Sequence, residues 1–127
     1  MVILGILAAI VIPQFTDAST EAKLSSLASD LQTVRSQIEL YKIQHNDLLP
    51  SAAAVGFVAA MTGQTDQAGA AGTDFGPYLQ KIPTNPFSTV NENVVNEDGT
   101  VGDNRHGWEF NTTTGAFHAD TAGHENL

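Results

Sequence analysis

The stretch Asn91-Glu92-Asn93-Val94-Val95-Asn96-Glu97-Asp98-Gly99-Thr100-Val101-Gly102-Asp103-Asn104 concentrates oxygen-bearing side chains around two glycines. Hard cations such as calcium take carboxylate, amide and carbonyl oxygens as ligands, and glycines permit the tight bends that turn such oxygens toward one point. The spacing is not that of an EF-hand loop, which closes on a bidentate glutamate. The plain alternative is a solvated acidic turn, with Asp98-Gly99 as an ordinary hairpin dipeptide.

Other chemistry is sparse. His45, His106, His118 and His124 stand singly, without a compact metal-binding spacing, and His118 and His124 are expected in solvent near the end of the sequence. No glycine-rich phosphate loop, nucleophile elbow or serine triad context is present, so an enzyme is not expected. The chain has no cysteine, which excludes disulfides and thiolate metal sites. Its formal net charge of -9, from 5 Lys plus Arg against 14 Asp plus Glu, opposes binding to nucleic acid, whose phosphates would repel it.

At 127 residues the chain suits one head with a modest core. The acidic stretch sits between segments patterned as strands. Gly107-Trp108-Glu109-Phe110-Asn111 and Ala116-Phe117-His118-Ala119 alternate apolar and polar residues around the turn Thr112-Thr113-Thr114-Gly115, predicting an antiparallel hairpin with Trp108, Phe110 and Phe117 in the core. A third short strand is expected within 88–95. Upstream, Gly76-Pro77-Tyr78-Leu79-Gln80-Lys81-Ile82-Pro83-Thr84-Asn85-Pro86-Phe87 holds three prolines and reads as a rigid extended connection. Residues 62–74 read as a loop, and a short helix is expected over Ala52–Met61, with Ser51 as N-cap and Gly56 weakening it.

A long helix must precede all of this. Leu24, Leu27, Leu31, Val34, Ile38 and Tyr41 recur at steps of three and four, drawing one apolar stripe. Glu21, Lys23, Asp30, Arg35, Glu39 and Lys42 occupy the outward face, with Glu39 and Lys42 spaced for a weak ion pair. The helix should end before His45-Asn46-Asp47 and Pro50. The stripe is too short for a sustained coiled coil and is expected to pack on the chain's own head.

Ahead of that stripe, residues 1–12 carry no charged or hydrogen-bonding side chain. As a helix they would reach roughly 18 Å, short of a bilayer core of about 30 Å. Ile12-Pro13-Gln14-Phe15 is not a signal-peptide cleavage site. A segment apolar on every side must be buried in lipid or among neighbouring chains. Pro13 would kink or locally open a continuous helix, Gly5 weakens the same stretch, and small Gly5, Ala8 and Ala9 would let helices approach closely.

Gly5-Ile6-Leu7-Ala8-Ala9-Ile10-Val11-Ile12-Pro13-Gln14-Phe15 closely resembles the signature helix of type IV pilins and of the pseudopilins of type II secretion. The Pro77-Tyr78-Leu79 and Pro83-Thr84-Asn85-Pro86-Phe87 segments resemble those of major pseudopilins, at a distant point of the chain. In that family a leader is removed by a prepilin peptidase, the new N-terminal residue is methylated, and a nearby glutamate sets subunit register; none of these residues stands in this sequence. Aligned on Gly5 and Pro13, the chain starts roughly nine residues inside the family's mature helix, which restores a span near 30 Å when added back.

The resemblance implies an α+β, pilin-like fold: a long N-terminal helix packed on a small head with a short helix and a small antiparallel sheet. Residues 1–15 would be the apolar membrane and filament-core segment, and 16–127 the amphipathic helix half plus head. It further implies a subunit held in the inner membrane, then polymerised through its N-terminal helices by secretion or pilus assembly machinery. Gly5, Ala8, Ala9, Pro13 and Phe15 would pack and loosen the filament core. The product is expected to be a periplasmic pseudopilus, with an extracellular pilus as the alternative and a membrane-tethered binding head as a remoter one. Major pseudopilins often carry a structural calcium in the loop corresponding to 91–104; Asp98 and Asp103 are then the expected carboxylate ligands, with Glu97 and Asn96 less central. Such an ion would staple a small head that has no disulfide.

Overall fold

The computed structural model describes residues 19–50 and 56–127 in full. Helix α1 spans Val2–Gln44, and its side chains are described from Ser19 onward. The expectations for Gly5, Ala8, Ala9, Pro13 and Phe15, for a division of the chain at residue 15, and for an N-cap at Ser51 fall outside the described residues.

From Ser19 to Ser26 every residue of α1 is exposed; burial starts at Leu27. Leu27, Leu31, Val34, Ile38 and Tyr41 then face the head and are almost wholly buried, whereas Leu24 remains 37% exposed. The predicted stripe therefore packs from its second member onward, because the head does not extend as far as Leu24. Glu39 and Lys42 form the expected pair at 3.6 Å. Arg35, expected outside, turns instead to the sheet: its Nε and one terminal nitrogen donate to the Phe117 carbonyl at 3.1 and 2.8 Å. Its long apolar stem makes this possible, since it can lie along a partly buried surface while the guanidinium finds an acceptor.

The helix stops where the sequence places its end. Asn46 takes a left-handed φ of 56°, and the Asp47 N–H donates to the Lys42 carbonyl at 2.8 Å, closing the last turn as a Schellman-type cap does. His45 is fully buried. Its ring stacks on Tyr41 with centroids 3.7 Å apart, Nδ1 donates to the Tyr41 carbonyl at 2.7 Å, and Nε2 lies 2.8 Å from the Thr65 hydroxyl.

The second helix, α2, is Gly56–Thr62 and buries Phe57, Ala60 and Met61. The part of the expected helix at 52–55 lies outside the described residues. The Met61 carbonyl near the helix end accepts from both the Tyr78 and Leu79 N–H groups at 2.9 Å, so the Pro-Tyr-Leu segment caps α2.

Three short strands follow: β1 (Val95–Asn96), β2 (Trp108–Phe110) and β3 (Phe117–Ala119). The predicted hairpin is present, with Trp108 opposite Ala119 and Phe110 opposite Phe117. The all-antiparallel expectation is corrected at the other edge. There β1 runs parallel to β2, pairing Val95 with Trp108 and Asn96 with Glu109, so the sheet is mixed. Asp98-Gly99 consequently does not form a hairpin, because parallel neighbours need a crossover rather than a tight turn.

One aromatic cluster joins the layers. Phe57 of α2 stacks on Phe117 at 5.6 Å and meets Phe110 at 4.5 Å, and Trp108 stacks on Phe117 at 5.4 Å. The Trp108 indole N–H donates to the Pro83 carbonyl at 2.7 Å. This ties the proline-rich connection to the sheet, as a buried indole requires a partner for its donor.

Candidate metal centre

The parallel pairing dictates the course of the acidic segment. From the end of β1 the chain must travel back along the sheet before it can enter β2 in the same direction. Residues 97–107 make that return. A polar crossover has little apolar surface to fasten it, and its backbone N–H groups need acceptors. Two buried carboxylates supply them.

The first is Glu109, in the middle of β2 and 1% exposed. Its Oε1 accepts the Gly99 N–H at 2.6 Å, while Oε2 is buried without a hydrogen-bond partner. The Asn96 amide beside it is also without a well-formed bond. Burial pushes the Glu109 carboxyl above the usual carboxylate range; the Gly99 N–H and Asn96 amide oppose this, and the charges of Asp98 and Asp120 add to it.

The second is Asp120, just past β3 and fully buried. Its Oδ1 accepts from the N–H groups of Gly102 at 2.9 Å and Asp103 at 3.3 Å, and Oδ2 accepts from the His106 N–H at 3.1 Å. Gly102 takes a φ of 79°, a left-handed geometry that glycine adopts without Cβ strain; it presents the first of those donors. The Asp120 carbonyl also accepts the Asn104 N–H at 2.9 Å. The loop thus wraps around one carboxylate. Burial raises the Asp120 carboxyl, the neighbouring Asp103 carboxyl raises it further, and the backbone donors of Asp103 and His106 work the other way.

Gly107 closes the loop. Its N–H donates to the Asn91 carbonyl at 2.9 Å, and an added Cβ would sit 2.0 Å from the Glu92 carbonyl oxygen, so only glycine fits. Asn85, also fully buried, bridges the same point by donating from Nδ2 to the Gly107 carbonyl at 2.8 Å and accepting the Phe87 N–H at 2.9 Å.

Of the carboxylates expected to hold calcium, Glu97 and Asp98 do not share a convergent group with Asp103. Asp98 turns back on its own loop, accepting the Thr100 N–H at 2.8 Å; the Asn96 amide foremost, then that N–H, holds its carboxyl below the usual range. Asn96 faces Glu109 across the β1–β2 pairing. Glu97 is exposed and reaches toward the start of α2, where its Oε2 would lie 3.8 Å from a Cβ at Gly56. Asp103 alone joins a convergent group, with His106 and Asp120, in which one ligand atom from each residue lies within 4.8 Å of the others. Calcium asks for six to eight oxygens. This group offers two carboxylates and an imidazole, and it includes one of the four residues expected to hold calcium.

Within the group, His106 Nδ1 is 3.7 Å from Asp120 Oδ2 and is buried without a hydrogen bond. The Asp103 carboxylate accepts the Arg105 N–H at 3.0 Å and lies 3.7 Å from the largely exposed Arg105 guanidinium. Sequence reading missed Asp120 and His106 as partners of Asp103. The Asp103-x-x-His106 spacing was there to see, but Asp120 becomes their neighbour only through the hairpin. The two histidines expected in solvent are half-buried: His118 Nδ1 donates to the Glu125 carbonyl at 2.8 Å, and His124 stacks on Phe87 at 4.0 Å.

Compared with protein-family models, curated proteins and solved structures, the chain gives no match. Among the described residues, no helix is long and apolar enough to cross a membrane.

Proposed function

We propose that this chain is a structural subunit that polymerises through its N-terminal helix into a type IV pilus-like filament, in the role of the major pseudopilin of a type II secretion system. One observation carries the reading. Burial of α1 against the head begins at Leu27, and the eight preceding described residues, Ser19 to Ser26, are all exposed. The helix therefore stands clear of the head for about two turns in the direction of an uncharged apolar sequence that needs partners. Heads of this kind leave the apolar segments free to bundle with one another, and a repeated heterologous contact whose rotation does not close builds an open filament. The inner membrane would hold the subunit before assembly, and the assembly machinery would withdraw it.

The subunit needs no reaction chemistry for this task. Its loop carboxylates act as internal fasteners of the head, and the apolar segment supplies the association.

Electron microscopy of cells producing the full chain with a pseudopilus assembly machinery tests the proposal. Filaments are expected, and an Ala9→Asp variant should form none while its head melts at the parent temperature, because a charge among packed apolar helices is costly. A parent chain that stays monomeric under those conditions, or an Ala9→Asp chain that assembles normally, would overturn it.

A further inference from the structure

We propose that Asp103, His106 and Asp120 form a binding site for a borderline divalent cation of the zinc class. The donor set selects the ion: two carboxylate oxygens and one imidazole nitrogen suit zinc, whereas calcium and magnesium prefer oxygen alone.

One edge of the group is close to what such an ion requires, and all three ligand atoms lie within 4.8 Å of one another. Ligands at about 2.0–2.1 Å from a tetrahedral centre lie about 3.3–3.4 Å apart. The 3.7 Å between His106 Nδ1 and Asp120 Oδ2 is too long for a hydrogen bond and within a small side-chain adjustment of that edge. The nitrogen itself has no hydrogen-bond partner although it is buried. A buried imidazole nitrogen aimed at a carboxylate, yet bonded to nothing, is left wanting a cation between them.

Asp120 is already set in place for the role. Donors from Gly102, Asp103 and His106 fix both its oxygens, which is the outer-shell support that orients a ligating carboxylate. Asp103 and His106 are only partly buried, which gives an ion a way in, and water can complete the coordination. Arg105 competes: its guanidinium pairs with Asp103 at 3.7 Å, but its side chain is 72% exposed and free to swing away.

Titration of the metal-free full chain in detergent with zinc alone, followed by calorimetry and thermal melting, tests the site. One zinc per chain is expected, with a rise in melting temperature that calcium at the same concentration does not produce, since an ion that binds only the folded state must stabilise it. His106→Gln should weaken zinc at least about tenfold and Arg105→Gln should strengthen it. Asp103→Asn, which retains the acceptor for the Arg105 N–H, should weaken it without unfolding the loop. His124→Gln controls for adventitious histidine binding and should leave the affinity unchanged. The proposal fails if zinc does not raise the melting temperature, if His106→Gln binds as the parent does, or if calcium and zinc stabilise equally.

Discussion

The sheet is held on its two sides by opposite means. Against α1 it is held by apolar contact, where Leu27, Leu31, Val34, Ile38 and Tyr41 meet a cluster built on Phe57, Phe110 and Phe117. On the crossover side it is held by Glu109 and Asp120, which accept backbone donors from a loop with little apolar surface. Apolar contact is non-directional and indifferent to proton activity, whereas a buried carboxylate depends on its geometry and on its ionisation. One side should therefore fail when volume is removed and the other when charge or acceptors are.

The sharpest break of that contrast is Phe117→Ala. Phe117 is buried on β3 beneath both Phe57 and Trp108, and truncating a buried aromatic costs about 3–5 kcal/mol. Because no titrating group is touched, the loss measured by urea unfolding should be the same at pH 5 and pH 8. A loss that varies with pH would mean the two sides are coupled more tightly than their separate contacts suggest.

This difference also explains what could be read in advance. The seam announces itself through period: residues 24–41 mark a helix face, and Trp108, Phe110 and Phe117 mark a hairpin, because apolar burial leaves a repeat in the sequence. Leu24 was misplaced, since periodicity says which face is apolar and not how far the head extends along it, and Arg35 was misplaced because its charge hid a stem long enough to reach the Phe117 carbonyl. The crossover left no such trace. The acidic run at 91–104 was visible, but its partners Glu109 and Asp120 lie inside and beyond strands, and they reach the loop only through the parallel pairing of Asn96 with Glu109 and the hairpin that carries Asp120. Two-residue β1 is too short to carry an alternation, so its direction, and with it the fastening of the run as a crossover, was not legible.

On the crossover side the larger effect belongs to Asp120→Ala. It strips the acceptor from the N–H groups of Gly102, Asp103 and His106, and unsatisfied buried donors cost about 1–3 kcal/mol each before water compensates. The half-exposed loop admits some water, so we expect about 2–4 kcal/mol in total, with faster amide hydrogen exchange confined to residues 99–106. Exchange that speeds equally in α1 would show that the carboxylate supports the whole head and not the loop alone.

The smallest effect and the finest test is Glu109→Gln, which keeps an oxygen for the Gly99 N–H and removes only the charge. At neutral pH the variant should lie within about 1 kcal/mol of the parent. The informative quantity is the slope of stability against pH. Burial raises the Glu109 carboxyl in the folded chain, with Asp98 and Asp120 adding to the effect, so the folded state holds this proton more tightly than the unfolded one. Stability contributed by Glu109 must then rise as pH falls through its raised value, and stop rising at the ordinary glutamate range, where both states are protonated. Glu109→Gln should flatten that part of the profile. It should leave in place the same-signed contribution of Asp120 and the opposite one of Asp98, whose carboxyl is held below its usual range and whose loss comes at more acid pH. Urea midpoints between pH 4 and pH 8 would show it. An unchanged slope would mean that the Glu109 carboxyl binds its proton equally in the folded and unfolded chain, so that its burial at the crossover does not raise it.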